Sequence, residues 1–278
     1  PERSDGSHRH LDSLIGKIIY RKTPEELSGN ALAEHKTVQM RVKLSDEEQK
    51  QYDSAIATRN QFLRDSNIFL SSLEGWQLFV RASARSPQGR KAMLAHRQAK
   101  EISQGTDAKL RVLTDLITQH DNERILIFTN DNATVYRISQ QFLIPAITYQ
   151  TAVKERHDIL TSFKAGEYKT LVASHVLNEG VDVPDARIAI VLSGTGSTRE
   201  YIQRLGRVLR KGNRTNKQAI LYEVVTENTS EEKTSERRRG EQTASNYRQL
   251  EIVPSKPKLK KKQQFKAAEK PEDWDLEH

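Results

Sequence analysis

Short apolar runs alternating with amphipathic stretches fill the sequence from Thr106 to about Asn228, and few folds accommodate that texture. The runs are Ile125–Phe128, 146–149, Thr170–Ala173, 188–192 and 219–225, while 133–143, 153–164 and 199–210 carry helical periodicity between them. Strands apolar at nearly every position are buried on both faces, and helices between them let the strands run parallel. Residues 106–228 are therefore expected to form an α/β unit, a parallel sheet flanked by helices. In such sheets ligands gather at the loops beyond the carboxyl ends of the strands, so the chemistry is sought there.

The preceding segment reads differently. Val38, Met40, Val42 and Leu44 alternate with Gln39, Arg41 and Lys43, the period of a half-buried strand, which assigns 1–44 to a junction and a first strand. Ser45 with Glu48 makes a capping box, and only Gly75, Pro87 and Gly89 interrupt helical sequence as far as Gln104. Residues 45–105 are thus expected to be a helical insertion, with Leu70, Leu73, Trp76, Phe79 and Val80 as a core stripe between two packed helices. After Asn228 charges crowd in, through Arg237-Arg238-Arg239 and on to Lys260-Lys261-Lys262. That composition predicts a basic, flexible, solvated tail over 229–278, with weak DNA contact as the alternative.

Composition narrows the function. The apolar fraction of 35% is low for one continuous core in 278 residues, and a net charge of +8 favours a polyanionic partner. With no cysteine, disulfides, thiolate zinc sites and cysteine nucleophiles are excluded, and no metal-ligating set is expected. No apolar run reaches the roughly 18 residues of a membrane span and no charged-then-apolar leader opens the chain, so a cytoplasmic setting is expected. The opening at Pro1 and the ending Leu276-Glu277-His278 suggest a piece cut from a longer chain.

The segment REYIQRLGRVLR, 199–210, is the most informative. At helical spacing Gln203, Arg207 and Arg210 fall within about 60° of one another, opposite Ile202, Leu205 and Leu209. One face packs on a sheet and the other presents an amide and two guanidiniums, groups suited to phosphate oxygens. A solvated charged face is the ordinary explanation of such arginines. Here the pattern resembles the last motif of superfamily 2 helicases, Q-x-x-G-R-x-x-R. That resemblance implies that Arg207 and Arg210 are arginine fingers, reaching the γ-phosphate of ATP held by another lobe.

Other segments extend the resemblance in the right order. SHVLNEGVDVPDA, 174–186, leaves the end of a predicted central strand and resembles the fifth motif, which implies that Gly180 and Asp182, with Gln203, serve ATP, and that Ser174 touches the nucleic-acid backbone. Thr129-Asn130-Asp131 resembles the fourth motif. Thr148-Tyr149-Gln150-Thr151, with Arg156 in the helix after it, resembles the accessory motif beside it. The implied DNA contacts are Thr129, Asn130, Gln150 and Arg156, which read phosphates and sugars without sequence preference. Thr151 alternatively caps its helix.

Together with YRISQQFLIPAIT and SGTGSTREYIQRLGRVLR, the motifs are similar to the XPB family of bacterial and archaeal type, from about Leu14 to Arg239. The resemblance implies a RecA-like C-terminal lobe, a thumb-like helical insertion at 45–105, and an ATP-driven DNA helicase working 3′ to 5′ in DNA repair. The insertion is alternatively a packing element. Implied partners are DNA, the N-terminal RecA-like lobe, and a nuclease or other repair factor.

No G-x-x-x-x-G-K-[ST] loop and no acidic D-E-x-[DH] box occurs, so this sequence has nothing to cradle the β-phosphate or hold Mg²⁺. It is expected to supply half an ATP site and to hydrolyse ATP negligibly alone. Two other readings stand beside the helicase: a duplex translocase of the same superfamily, and a nucleic-acid or protein-binding module without motor activity.

Overall fold

A computed structural model describes residues 11–14, 16, 35–70, 72–174, 186–193, 219–239 and 247–251. After a four-residue helix α1 (Leu11–Leu14) come β1 (His35–Val42) and three helices, α2 (Asp46–Asp65), α3 (Leu73–Arg85) and α4 (Pro87–Gly105). Helix α5 (Asp107–Gln119) then opens the alternating unit: β2 (Ile125–Phe128), α6 (Asn132–Phe142), β3 (Ala146–Ile147), α7 (Val153–Ala165), β4 (Thr170–Ala173), β5 (Ile188–Val191) and β6 (Ala219–Thr226). Helix α8 (Ser230–Arg239) and β7 (Tyr247–Glu251) follow.

The strands make one seven-stranded sheet in the order β3-β4-β2-β5-β6-β1-β7, parallel at every pairing. Each residue of β2, β4 and β5 is buried, because helices cover both faces. Side chains alternate between two cores. Leu126, Phe128, Leu171 and Ala173 pack with Phe163, Ile159 and Leu160 of α7 on one face. Ile125, Ile127, Val172, Ile188 and Ile190 pack on the other with Leu113 and Leu116 of α5 and Val135 and Ile138 of α6. The expected α/β parallel sheet is the one observed, and β1 joins it beside β6 rather than beside β2.

The helical insertion is built on capped starts. The Ser45 hydroxyl accepts from the Glu48 amide and the Glu48 carboxylate accepts from the Ser45 amide, closing the expected capping box. Ser72 and Ser86 cap α3 and α4 one way, each hydroxyl accepting from the amide of a glycine three residues on, and Pro87 occupies the first turn of α4, where its missing N–H costs nothing. Alanines let the helices approach closely: Ala55 and Tyr52 of α2 meet Ala95 and Ala99 of α4, and Ala92 packs with Leu63 and Phe79.

Two expectations are corrected here. In α3 the buried face is Gly75, Phe79 and Ser83, at i, i+4 spacing, while Leu73 is 61% and Trp76 37% exposed and Val80 is also exposed. Small residues bring the neighbouring backbone close on that side, and close approach selects the face in place of apolarity. The basic tail set to begin at 229 also begins too early. Glu231 and Ser235, one turn apart on α8, are buried, with Ser235 accepting from Gln39 Nε2 at 3.1 Å, and β7 extends the sheet beside β1. Residues 252–278 lie outside the described residues, and no described helix is long and apolar enough to cross a membrane.

Candidate nucleic-acid interface

Parallel strands end along one edge, and hydrogen bonds knit the loops that leave it. The Thr129 amide donates to the Ala173 carbonyl at 3.0 Å, the Ser174 amide to Ile147 at 3.1 Å, and the Leu192 amide to Phe128 at 3.0 Å. Each loop therefore starts as an extension of the ladder. This brings Thr129, Asn130, Thr148, Ser174 and Ser193 to the carboxyl edge of four adjacent strands, β3, β4, β2 and β5.

After β2, the buried Thr129 hydroxyl donates to the Asp131 carbonyl at 2.9 Å, and Asp131 caps α6 by accepting from the Thr134 amide at 2.8 Å. Asn130 sits between them, its amide donating to the Ser193 hydroxyl at 2.8 Å. Its side-chain Oδ1 is buried without a hydrogen-bond partner among the described residues. A buried acceptor of that kind is costly unless a donor completes it.

The loop after β3 is braced from within. The Thr148 hydroxyl accepts from the Gln150 amide at 3.2 Å and lies 3.2 Å from the Tyr136 hydroxyl, which in turn donates to Gln150 Oε1 at 3.0 Å. Thr151 accepts from the Thr148 amide at 2.9 Å and does not cap α7, whose first residue follows Ala152 without any side-chain cap. Arg156 reaches back to the carbonyls of Thr148 and Thr151 at 3.4 and 3.3 Å, long contacts that steady the turn. Gln150 and Tyr149, the latter 70% exposed, stand at the surface.

The expected contact residues thus divide. Gln150 is exposed and Asn130 and Arg156 are partly so, whereas Thr129 and Ser174 are buried and shape the loops from beneath. Gly180, Asp182, Gln203, Arg207 and Arg210 lie outside the described residues. Sequence reading passed over Tyr136 and Ser193. Ser193 was open to notice, since it is the first polar residue after a predicted strand, where ligand loops begin. Among the described residues no group of His, Asp and Glu could hold a metal ion.

Residues 108–212 match the family model described as the helicase conserved C-terminal domain. Over 239 residues the chain is 42% identical to the DNA 3'-5' translocase XPB2 of Sulfurisphaera tokodaii, covering 86% of this chain and 54% of that protein. Over 127 residues it is 39% identical to the DNA 3'-5' helicase XPB of Kineococcus radiotolerans, covering 45% of this chain and 22% of that protein. The chain therefore spans about half the length of the first of these relatives and less of the second. The helicase domain of Pyrococcus furiosus Hef superposes with a TM-score of 0.55 at 17% identity, covering 84% of this chain and 64% of that one. At that identity the likeness is one of fold.

Proposed function

Because this chain belongs to the XPB family of superfamily 2 DNA helicases and carries the C-terminal RecA-like lobe, we propose that it is the second half of an ATP-driven DNA translocase. The observation that carries the reading is the edge just described: loops from four adjacent parallel strands stand together, and the arginine segment follows the last of them in sequence. In this reading Arg207 and Arg210 complete an ATP site begun by another lobe, with Gln203, Gly180 and Asp182 around the nucleotide. The sequence lacks a P-loop and an acidic box, so Mg²⁺ and the β-phosphate are held elsewhere. When bound, ATP supplies the phosphoanhydride whose cleavage drives movement. The contribution of this chain is to bring two permanently charged guanidiniums to the oxygens that gain charge in the transition state.

DNA lies across the same edge. Asn130 and Gln150 face it, on loops braced by Thr129, Ser174 and Arg156, and such contacts hold the backbone without reading sequence. The similarity to a DNA 3'-5' translocase and a DNA 3'-5' helicase supports 3′ to 5′ movement, and the setting we propose is DNA repair, with a nuclease or other repair factor as partner.

Steady-state ATP hydrolysis tests this. The isolated chain should turn over negligibly with or without DNA, and the full-length protein should be stimulated by DNA. In the full-length protein Arg207→Ala or Arg210→Ala should lower kcat by about 10³-fold with KM for ATP nearly unchanged, since the fingers act in the transition state. Robust turnover by the isolated chain, abolished by Arg210→Ala, would overturn the two-lobe reading. Equal losses in binding and turnover would assign the arginines to ground-state affinity.

A further inference from the structure

Helix α5 carries a lysine where its pattern calls for an apolar residue. Lys109 shares a face with Val112, Leu113 and Leu116 and is only 1% exposed. Its ammonium donates to Glu231 Oε2 of α8 at 2.6 Å and to the Leu192 carbonyl at 2.5 Å, and Glu231 is only 3% exposed. The same carboxylate oxygen accepts from the Thr226 amide at the end of β6, at 3.0 Å, and the Thr226 hydroxyl donates to the Ser103 carbonyl of α4. Three elements distant in sequence, the start of α5, the end of β5 and the start of α8, are thereby pinned to one buried charge pair.

We propose that Lys109 is a positioning residue for the motor. With Glu231 it fixes the chain at Leu192 and, through Ser193, the Asn130 turn that leaves β2. This rests on the translocase reading above. Stability alone does not call for such a pair, because well-packed apolar residues commonly replace a buried ion pair without loss. What apolar residues cannot do is hold a carbonyl in a fixed direction. The carbonyl held is that of Leu192, whose amide bonds Phe128 and whose neighbour Ser193 accepts from Asn130. Arg199 lies six positions beyond Ser193 in the sequence, so the point held is where the chain departs toward the arginine segment. The helical insertion is tied to the same node through Ser103.

The test uses the full-length protein and the double variant Lys109→Met with Glu231→Met, which removes both charges at similar volume. It should still fold, with a lowered thermal midpoint because the Leu192 carbonyl and the Thr226 amide lose these partners, so turnover is compared well below that midpoint. DNA-stimulated kcat should fall by about 10-fold or more with KM for ATP little changed, as expected when reacting groups are misplaced and not lost. Amide exchange at Leu192 and Asn130 should accelerate. Wild-type kcat and wild-type exchange in that variant would overturn the proposal, since the pair would then only fill space. Should the double variant not fold, Glu231→Gln keeps an acceptor for Thr226 and weakens the hold on Lys109. It should lower kcat in the same direction, and unchanged kcat there would be equally decisive against the role. The motor reading fails separately, if the wild-type protein shows no DNA-stimulated turnover or is indifferent to Arg210→Ala.

Discussion

The Thr226 hydroxyl, at the end of β6, donates a 2.6 Å hydrogen bond to the carbonyl of Ser103 in the last turn of α4, with both groups buried. A strand of the sheet therefore closes off the C-terminus of the helical insertion, where carbonyls have no partner within their own helix. Thr226→Val keeps the shape and deletes the donor, leaving the Ser103 carbonyl buried and unsatisfied. That should cost about 1–3 kcal/mol, read as a lower urea midpoint, and Thr226→Ser should recover most of it. A Val variant as stable as the wild type would mean that the carbonyl finds another donor.

Within the insertion, α3 and α4 meet at Gly89. A Cβ placed there would lie 2.6 Å from the Ala82 carbonyl oxygen and 2.8 Å from Ser83 Cα, both backbone atoms that cannot step aside without moving α3. Alanine improves helix propensity over glycine by about 1 kcal/mol. Overpacking against fixed atoms costs about 1–3 kcal/mol, so the clash should win. Gly89→Ala is expected to lower the thermal midpoint, and a rise would show that α3 slides freely over α4.

How far the sequence foretold this molecule differs element by element. Strands β2, β4 and β5 were legible because burial on both faces leaves a nearly unbroken apolar run, and the Ser45 box was legible because capping is local. The buried face of α3 was not, since close approach at Gly75 depends on where the Phe69 backbone runs and at Ser83 on where Gly89 of α4 lies. Helix α8 hid behind its charges: of Ser-Glu-Glu-Lys-Thr-Ser only Glu231 and Ser235 are buried, too sparse a pattern to stand out from a solvated run. Lys109 was readable as a misfit on an apolar face, but its partner, 122 residues away, was not. At the candidate interface, the resemblance to helicase motifs pointed to Thr129, Asn130 and Ser174 at strand ends, while their division into exposed and buried groups required the loops themselves.

His96 links the insertion to pH. Its ring lies 5.2 Å from Trp76 and 6.0 Å from Phe79, edge-on to the latter, and its Nδ1 is buried without a hydrogen-bond partner among the described residues. Burial among these rings lowers its pKa below the ordinary 6.5, and the charges of Arg59 on α2 and Lys100 on α4 push it the same way. The folded protein therefore holds the imidazole neutral at a pH where the unfolded chain already binds a proton. Where the unfolded state binds more protons, stability rises with pH. The contribution is thus fully present above about pH 6.5 and is lost progressively as pH falls below it, until the folded imidazole itself titrates. His120 adds a slope of the same sign, since burial lowers its pKa, partly offset by Glu123. Urea unfolding of the wild type should show a falling midpoint on going from about pH 7.5 to about pH 5.5, and His96→Leu should flatten most of that fall. Parallel pH profiles for the two proteins would place the proton uptake at another group and leave His96 as packing alone.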